Sequence, residues 1–238
     1  PEVLAETNGA ALLSFCPGVL VSTLPPDSPD LHGLGEAIGQ TLAQVHQFEC
    51  AKAGFFDLQL QISQPLEPFA TAWLNYTRKV LQSPQARSRA GADLCEALLI
   101  KLDQAAGMLS DLPAISRLVH SDFNLKNLLV ARLSGQWQVT ALLDWEFAHA
   151  GSPLCDLGNF FRFQDQLPED LLNGFLVGYQ ALAGPLPSQW RTQAILLDLA
   201  ALAGFLESVE PRPLSWATAR ERMQDSLVYL SEVRHNAV

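Results

Sequence analysis

Between Arg117 and Leu143 the apolar pattern of this chain changes period, and that change limits the folds open to it. On either side the spacing is helical. Leu34, Ile38, Leu42 and Val45 recur on one face, as do Leu94, Leu98 and Leu102, with Met108-Leu109 slightly out of step. A helix over 67–82 starts near Pro68 and carries Trp73, Tyr76 and Val80. Later helices are predicted over 154–163, 168–182, 187–208 and 215–233, punctuated by Pro153, Pro168 and Gly184-Pro185. Inside the window the texture is that of strands. Arg117-Leu118-Val119 leads into a polar loop, Leu128-Leu129-Val130-Ala131 leaves it, Ser134-Gly135 turns the chain, and Val139 to Leu143 returns. Antiparallel pairing of the last two runs sets Asn127 and Asp144 at the same end of a hairpin.

The two loops bracketing that hairpin hold the residues with chemical potential. The first reads His120-Ser121-Asp122-Phe123-Asn124-Leu125-Lys126-Asn127 and the second Asp144-Trp145-Glu146. Phosphoryl transfer asks for one carboxylate to take the acceptor hydroxyl's proton and oxygen ligands to hold magnesium on nucleotide phosphates. A His-x-Asp-x-x-x-x-Asn loop followed by a metal-binding Asp is the signature set of the protein-kinase-like catalytic core. Asp122 is therefore the candidate catalytic base; alone it would read as a turn cap. Asn127 offers a neutral amide oxygen to a metal, and Asp144, at the end of an apolar strand, a carboxylate. Glu146 is a candidate further metal or substrate contact, and Lys126 either approaches a phosphate or is simply solvated. His120 reads as a buttress of the loop. Asp156 opens a helix and reads as a structural anchor for the same loop.

Composition removes several alternatives. The 238 residues are 48% apolar and 17% charged, so the chain is globular, and no apolar run reaches the ~20 residues of a membrane span. A formal charge of −10 leaves no basic stripe for nucleic acid. Cys16, Cys50, Cys95 and Cys155 are widely spaced, a pattern of reduced thiols in a cytoplasmic protein rather than a zinc site or disulfide framework. Gly33, Gly35 and Gly39 have the wrong spacing and no preceding strand for a dinucleotide fingerprint; they read as helix-packing positions. Val3-Leu4-Ala5 and Ala11 to Phe15 are strand-like around an Asn8-Gly9 turn, and Pro25 to Pro29 is a connector.

Together these residues resemble the aminoglycoside phosphotransferase and choline kinase-like family of small-molecule kinases. That family's loop is commonly His-Gly-Asp, four residues, then Asn; here Ser121 replaces the Gly. Its second motif often runs Asp-Trp-Glu, then a short loop and an Asp-Leu helix start, matched by Asp144-Trp145-Glu146 through Asp156-Leu157, with Ser152 where an Asp is frequent. Leu42 to His46 resembles the family's Leu-x-x-Leu-His segment.

The resemblance implies an α+β, protein-kinase-like fold. It would be mainly the helical C-lobe (19–238) with a catalytic-loop β-hairpin, plus the remnant of a small N-terminal β-sheet lobe and hinge (1–18). Roughly 60–80 residues of nucleotide lobe are expected ahead of Pro1. None of the four lysines (Lys52, Lys79, Lys101, Lys126) lies where a strand Lys for ATP is expected. The implied activity is ATP- and Mg²⁺-dependent transfer of the γ-phosphate to a hydroxyl of a small molecule. The acceptor pocket would lie among C-terminal helices carrying Asp198, Glu207 and Glu210, and a cationic acceptor is one alternative. Ser14, Phe15 and Cys16 would border the adenine. The rival reading is a pseudokinase-like binding module without turnover. A protein kinase fits less well, since Asp144 lacks a following Phe-Gly and no Ala-Pro-Glu appears downstream.

Overall fold

A computed structural model of the chain describes residues 2–7, 10–112 and 115–233. In chain order its strands are β1 (Val3–Thr7), β2 (Ala10–Leu13), β3 (Val19–Leu20), β4 (Glu49–Cys50), β5 (Gly54–Phe56), β6 (Ile62–Pro65), β7 (Ser116–Val119), β8 (Leu128–Leu133), β9 (Gln136–Leu142) and β10 (His149–Gly151). The helices are α1 (Leu31–Val45), α2 (Phe69–Gln82), α3 (Pro84–Ala90), α4 (Ala92–Ser110), α5 (Leu154–Phe161), α6 (Glu169–Ala183), α7 (Trp190–Leu206) and α8 (Pro213–Glu232). The architecture is α+β, as the change of period requires. The Asn8-Gly9 turn lies outside the described residues. Among those residues no helix is long and apolar enough to cross a membrane.

Two compact units share the chain. The first comprises Pro1–Gln47, Asp122–Phe147 and Phe163–Leu186. Its β1–β2 pair is one sheet, and β3-β8-β9 forms a second, antiparallel one. Asp30 starts α1 from a left-handed conformation, its carboxylate accepting the Gly33 N–H at 3.1 Å. α1 then packs against α6 through glycines on both helices. A Cβ built on Gly35 or Gly39 would overlap the Leu171 or Phe175 carbonyl oxygen, and one on Gly174 or Gly178 would overlap those of His32 or Glu36. The two backbones touch because neither helix has a side chain there. Beside this contact, buried His46 and Tyr179 share a 2.9 Å hydrogen bond between Nδ1 and the phenolic oxygen.

The second unit comprises Phe48–Ser121, Ala148–Arg162 and Pro187–Val238. Its sheet has the order β4-β7-β10-β5-β6, antiparallel throughout. β4, β5, β6 and β10 run for only two to four residues, too few for a hydrophobic period, and the sequence reading had no strand there. They exist because neighbouring strands complete their hydrogen bonds. Behind the sheet, buried His149 stacks on Trp73, ring centroids 5.0 Å apart, and packs against Phe55 and Phe69. α3, also unanticipated, is started by Pro84 and by Ser83, whose hydroxyl accepts the Ala86 N–H at 3.1 Å. α2, α4, α7 and α8 form the helical body, and α5 lies on α7.

The glycine contact sets up a paired test. Gly39→Ala forces two backbones apart and should lower stability by about 1–3 kcal/mol, as overpacking does. Gly107→Ala, in the exposed interior of α4 with nothing near a new Cβ, should raise it by about 0.5–1 kcal/mol. Denaturant midpoints at constant m-value measure both.

Candidate active site

β7 delivers the chain to the first loop. There the backbone N–H groups of His120 and Ser121 donate to Asp156, one to each carboxylate oxygen, at 2.8 and 2.7 Å. Asp156 sits fully buried in the first turn of α5. A carboxylate without water needs such donors, and the helix N-terminus adds a favourable dipole. His120 is itself fully buried. Ser121 has φ +69°, a left-handed conformation unusual for a residue with a Cβ. That backbone requirement accounts physically for the Gly common at this position in the family the motif resembles.

Asp122, Phe123, Asn124 and Asn127 form the loop's working face. The half-buried Asp122 carboxylate accepts from the Asn124 amide at Oδ1 (2.9 Å) and from the Asn127 amide at Oδ2 (2.8 Å). Both amides also donate to the Asp122 carbonyl, at 3.1 and 2.9 Å. Asn124 Oδ1 accepts the Lys126 N–H at 2.9 Å and so caps the short 3-10 turn Leu125–Asn127. Phe123 points the other way, fully buried, its ring 6.5 Å from that of Phe175 on α6. The Lys126 residue is exposed.

The hairpin brings in the second loop. Leu128 pairs with Leu142, and the Leu143 N–H donates to the Asn127 carbonyl at 2.8 Å, so Asp144 follows at the same end as Asn127. Asp144 is exposed and has φ +65°. Both loops thus hold a non-glycine residue in left-handed backbone, the kind of local strain that persists where surrounding structure fixes it. The Trp145 indole N–H closes the turn onto the Leu142 carbonyl at 3.0 Å. Glu146 is exposed beside it.

Ser14 is the last rung of the β1–β2 pair. Its N–H donates to the Glu2 carbonyl at 2.8 Å and its hydroxyl accepts the Glu2 N–H at 2.7 Å. Phe15 is 88% exposed and Cys16 half-buried. The segment then enters β3, where Val19 pairs with Val130 and Leu20 with Leu129, alongside the β8–β9 hairpin. A Cβ on Gly18 would come within 2.6 Å of the Val130 carbonyl oxygen, so this close approach needs glycine.

Asp122, Asn127 and Asp144 offer oxygen donors, which a hard cation prefers. Asn127 turns its amide nitrogen to Asp122, which leaves Oδ1 as the atom it can offer a metal. Among the described residues no three His, Cys, Asp or Glu side chains form a metal cage. That donor set fits magnesium, which is usually held by one or two carboxylates plus phosphates and water rather than by protein alone.

The C-terminal acidic residues differ from one another. Asp198 receives both arms of Arg162, at 2.9 and 2.6 Å, and each side chain is only 6% exposed. Its carboxylate joins α5 to α7 and already has its cation. Glu207 accepts the Tyr76 hydroxyl proton at 2.8 Å, and Glu210 is exposed. The residue that sequence reading passed over is Asn124; its one signal was an Asx side chain just ahead of a turn.

The chain belongs to the phosphotransferase enzyme family, whose profile matches residues 1–192. No curated protein matches it. Among solved structures it is similar to a thermostable mutant of aminoglycoside phosphotransferase APH(4)-Ia, with TM-score 0.63 and 22% identity over 90% of this chain and 70% of that one. It is similar also to choline kinase LicA from Streptococcus pneumoniae (TM-score 0.58, 17% identity, 85% and 66% covered). Macrolide 2'-phosphotransferase MphH from Brachybacterium faecium gives 0.54 and 18%, with 97% and 72% covered. One structure of the APH(4)-Ia mutant is a ternary complex with ADP and hygromycin B. The fold is therefore protein-kinase-like, as the motif spacing implied.

Asp198→Ala leaves the Arg162 guanidinium buried without its partner. It should destabilise the protein by about 3–5 kcal/mol, measured by chemical denaturation. An unchanged midpoint would return Asp198 to the pool of acceptor-binding candidates.

Proposed function

We propose that this chain carries the catalytic residues of an ATP- and Mg²⁺-dependent phosphotransferase acting on a hydroxyl of a small molecule. The observation that carries the reading is the Asp122 carboxylate gripped at both oxygens, with the hairpin register bringing Asp144 to the end where Asn127 sits. Asp122 orients the acceptor hydroxyl and takes its proton. The acceptor oxygen then bonds to the γ-phosphorus, and the bond from that phosphorus to its bridging oxygen breaks, its electron pair leaving with ADP. Asn127 Oδ1 and Asp144 would hold magnesium, which when bound offsets charge on the phosphate oxygens. Catalysis otherwise rests on positioning. Lys126 and Glu146 stand as candidate phosphate and substrate contacts, and His120 and Asp156 hold the loop.

In this reading residues 1–18 belong to the nucleotide lobe and hinge and 19–238 to the helical lobe. With the Ser14 N–H engaged by Glu2, adenine contacts fall to the backbone from Phe15 onward. ATP as phosphate donor agrees with a cytoplasmic location and with the ADP and hygromycin B in the ternary complex of the similar fold. Hygromycin B, choline and macrolides have little in common beyond a hydroxyl, so the acceptor class is an experimental question.

The test is magnesium-dependent ATP consumption over a panel of amino sugars, amino alcohols, macrolides and hydroxylated metabolites. It is run on this chain and on any longer product of its gene. Asp122→Ala should cut turnover by about 10²–10⁴-fold while leaving Tm and nucleotide binding nearly unchanged. Absence of turnover and of nucleotide binding in both proteins would favour the non-catalytic binding module.

A further inference from the structure

We propose that Asn124 is a positioning residue of this site: its side-chain amide fixes the plane of the Asp122 carboxylate for proton transfer. The inference rests on the phosphotransferase reading above and adds a residue that the His-x-Asp-x-x-x-x-Asn signature leaves out.

A carboxylate's terminal torsion is broad and two-fold, so a single donor restrains it weakly and a second donor at the other oxygen stiffens it. Asn127 holds Oδ2 at 2.8 Å. Asn124 holds Oδ1 at 2.9 Å, and with both oxygens fixed the plane is set. The Asn124 amide also donates to the Asp122 main-chain carbonyl at 3.1 Å, so it ties the carboxylate to its own backbone. The opposite edge of the same amide accepts the Lys126 N–H at 2.9 Å. Turning the amide over would set oxygen against oxygen on one side and N–H against N–H on the other, so only one orientation satisfies the loop. A carboxylate oxygen can accept more than one hydrogen bond, so an amide at each oxygen does not by itself bar an acceptor hydroxyl. The Asn124 and Asn127 side chains are neutral amide donors.

Asn124 has two separable duties, capping the 3-10 turn through Oδ1 and aiming Asp122 through Nδ2. Asn124→Ala loses both. Asn124→Ser keeps an oxygen that can cap the Lys126 N–H but is too short to reach Asp122 Oδ1. Wild type and both variants are compared for kcat, both KM values and Tm, using Mg·ATP and the panel acceptor with the highest wild-type kcat/KM. Expected is a drop in kcat of about 10–100-fold in both variants, with KM for ATP and acceptor little changed, and a Tm lowered by Ala but recovered by Ser. Recovery of kcat together with Tm in Asn124→Ser would reduce Asn124 to a cap and overturn the proposal. So would an unchanged kcat in Asn124→Ala, or a raised KM at constant kcat. Absence of turnover and of nucleotide binding in this chain and in any longer product of its gene removes the phosphotransferase reading and this inference with it. Turnover that is insensitive to Asn124 removes this inference alone.

Discussion

The register of the β8–β9 hairpin is the constraint on which the candidate site depends. Leu128 opposite Leu142, extended by the Leu143 N–H on the Asn127 carbonyl, joins two loops separated by a strand, a turn and a strand. A slip of one residue would turn every side chain of β9 to its other face and misdirect Asp144. Register is held from outside as well as by the Ser134-Gly135 turn. α1 packs on β9, and α6 lies in backbone contact with α1 across the four glycines. α6 in turn presents Phe175 to Phe123, the residue directly after Asp122.

Three aspartates here are each held by a different kind of donor. Asp156 takes two backbone N–H groups and, being fully buried, holds chain geometry. Asp198 takes a guanidinium, which cancels its charge and turns it into a clamp between α5 and α7. Asp122 takes two neutral amides and stays half-exposed. Asp144 and Glu146 are exposed instead, as suits groups that would meet a cation or substrate arriving from solvent.

The helices were legible because their apolar spacing is long enough to show a period: α1, α2, α4 and α6 to α8 fall close to where that spacing puts them. The β8–β9 hairpin was legible for the same reason, with a turn dipeptide between two apolar runs. The five-stranded sheet was not, because β4, β5, β6 and β10 are too short to carry a pattern and are strands only by virtue of their neighbours. Asp198 was misleading in sequence, where an acidic residue on a helix looks available to a cation. Arg162, thirty-six positions earlier, has already bound it.

The sequence by itself determined the family and the α+β class and marked Asp122, Asn127 and Asp144 as candidates, because these readings rest on local spacing and residue chemistry. Only the tertiary structure decided which acidic groups have partners, that Ser14 is engaged by Glu2, and that Asn124 shares the Asp122 carboxylate with Asn127. Hydrogen bonds are satisfied in three dimensions, and a linear pattern does not record which donor reaches which oxygen.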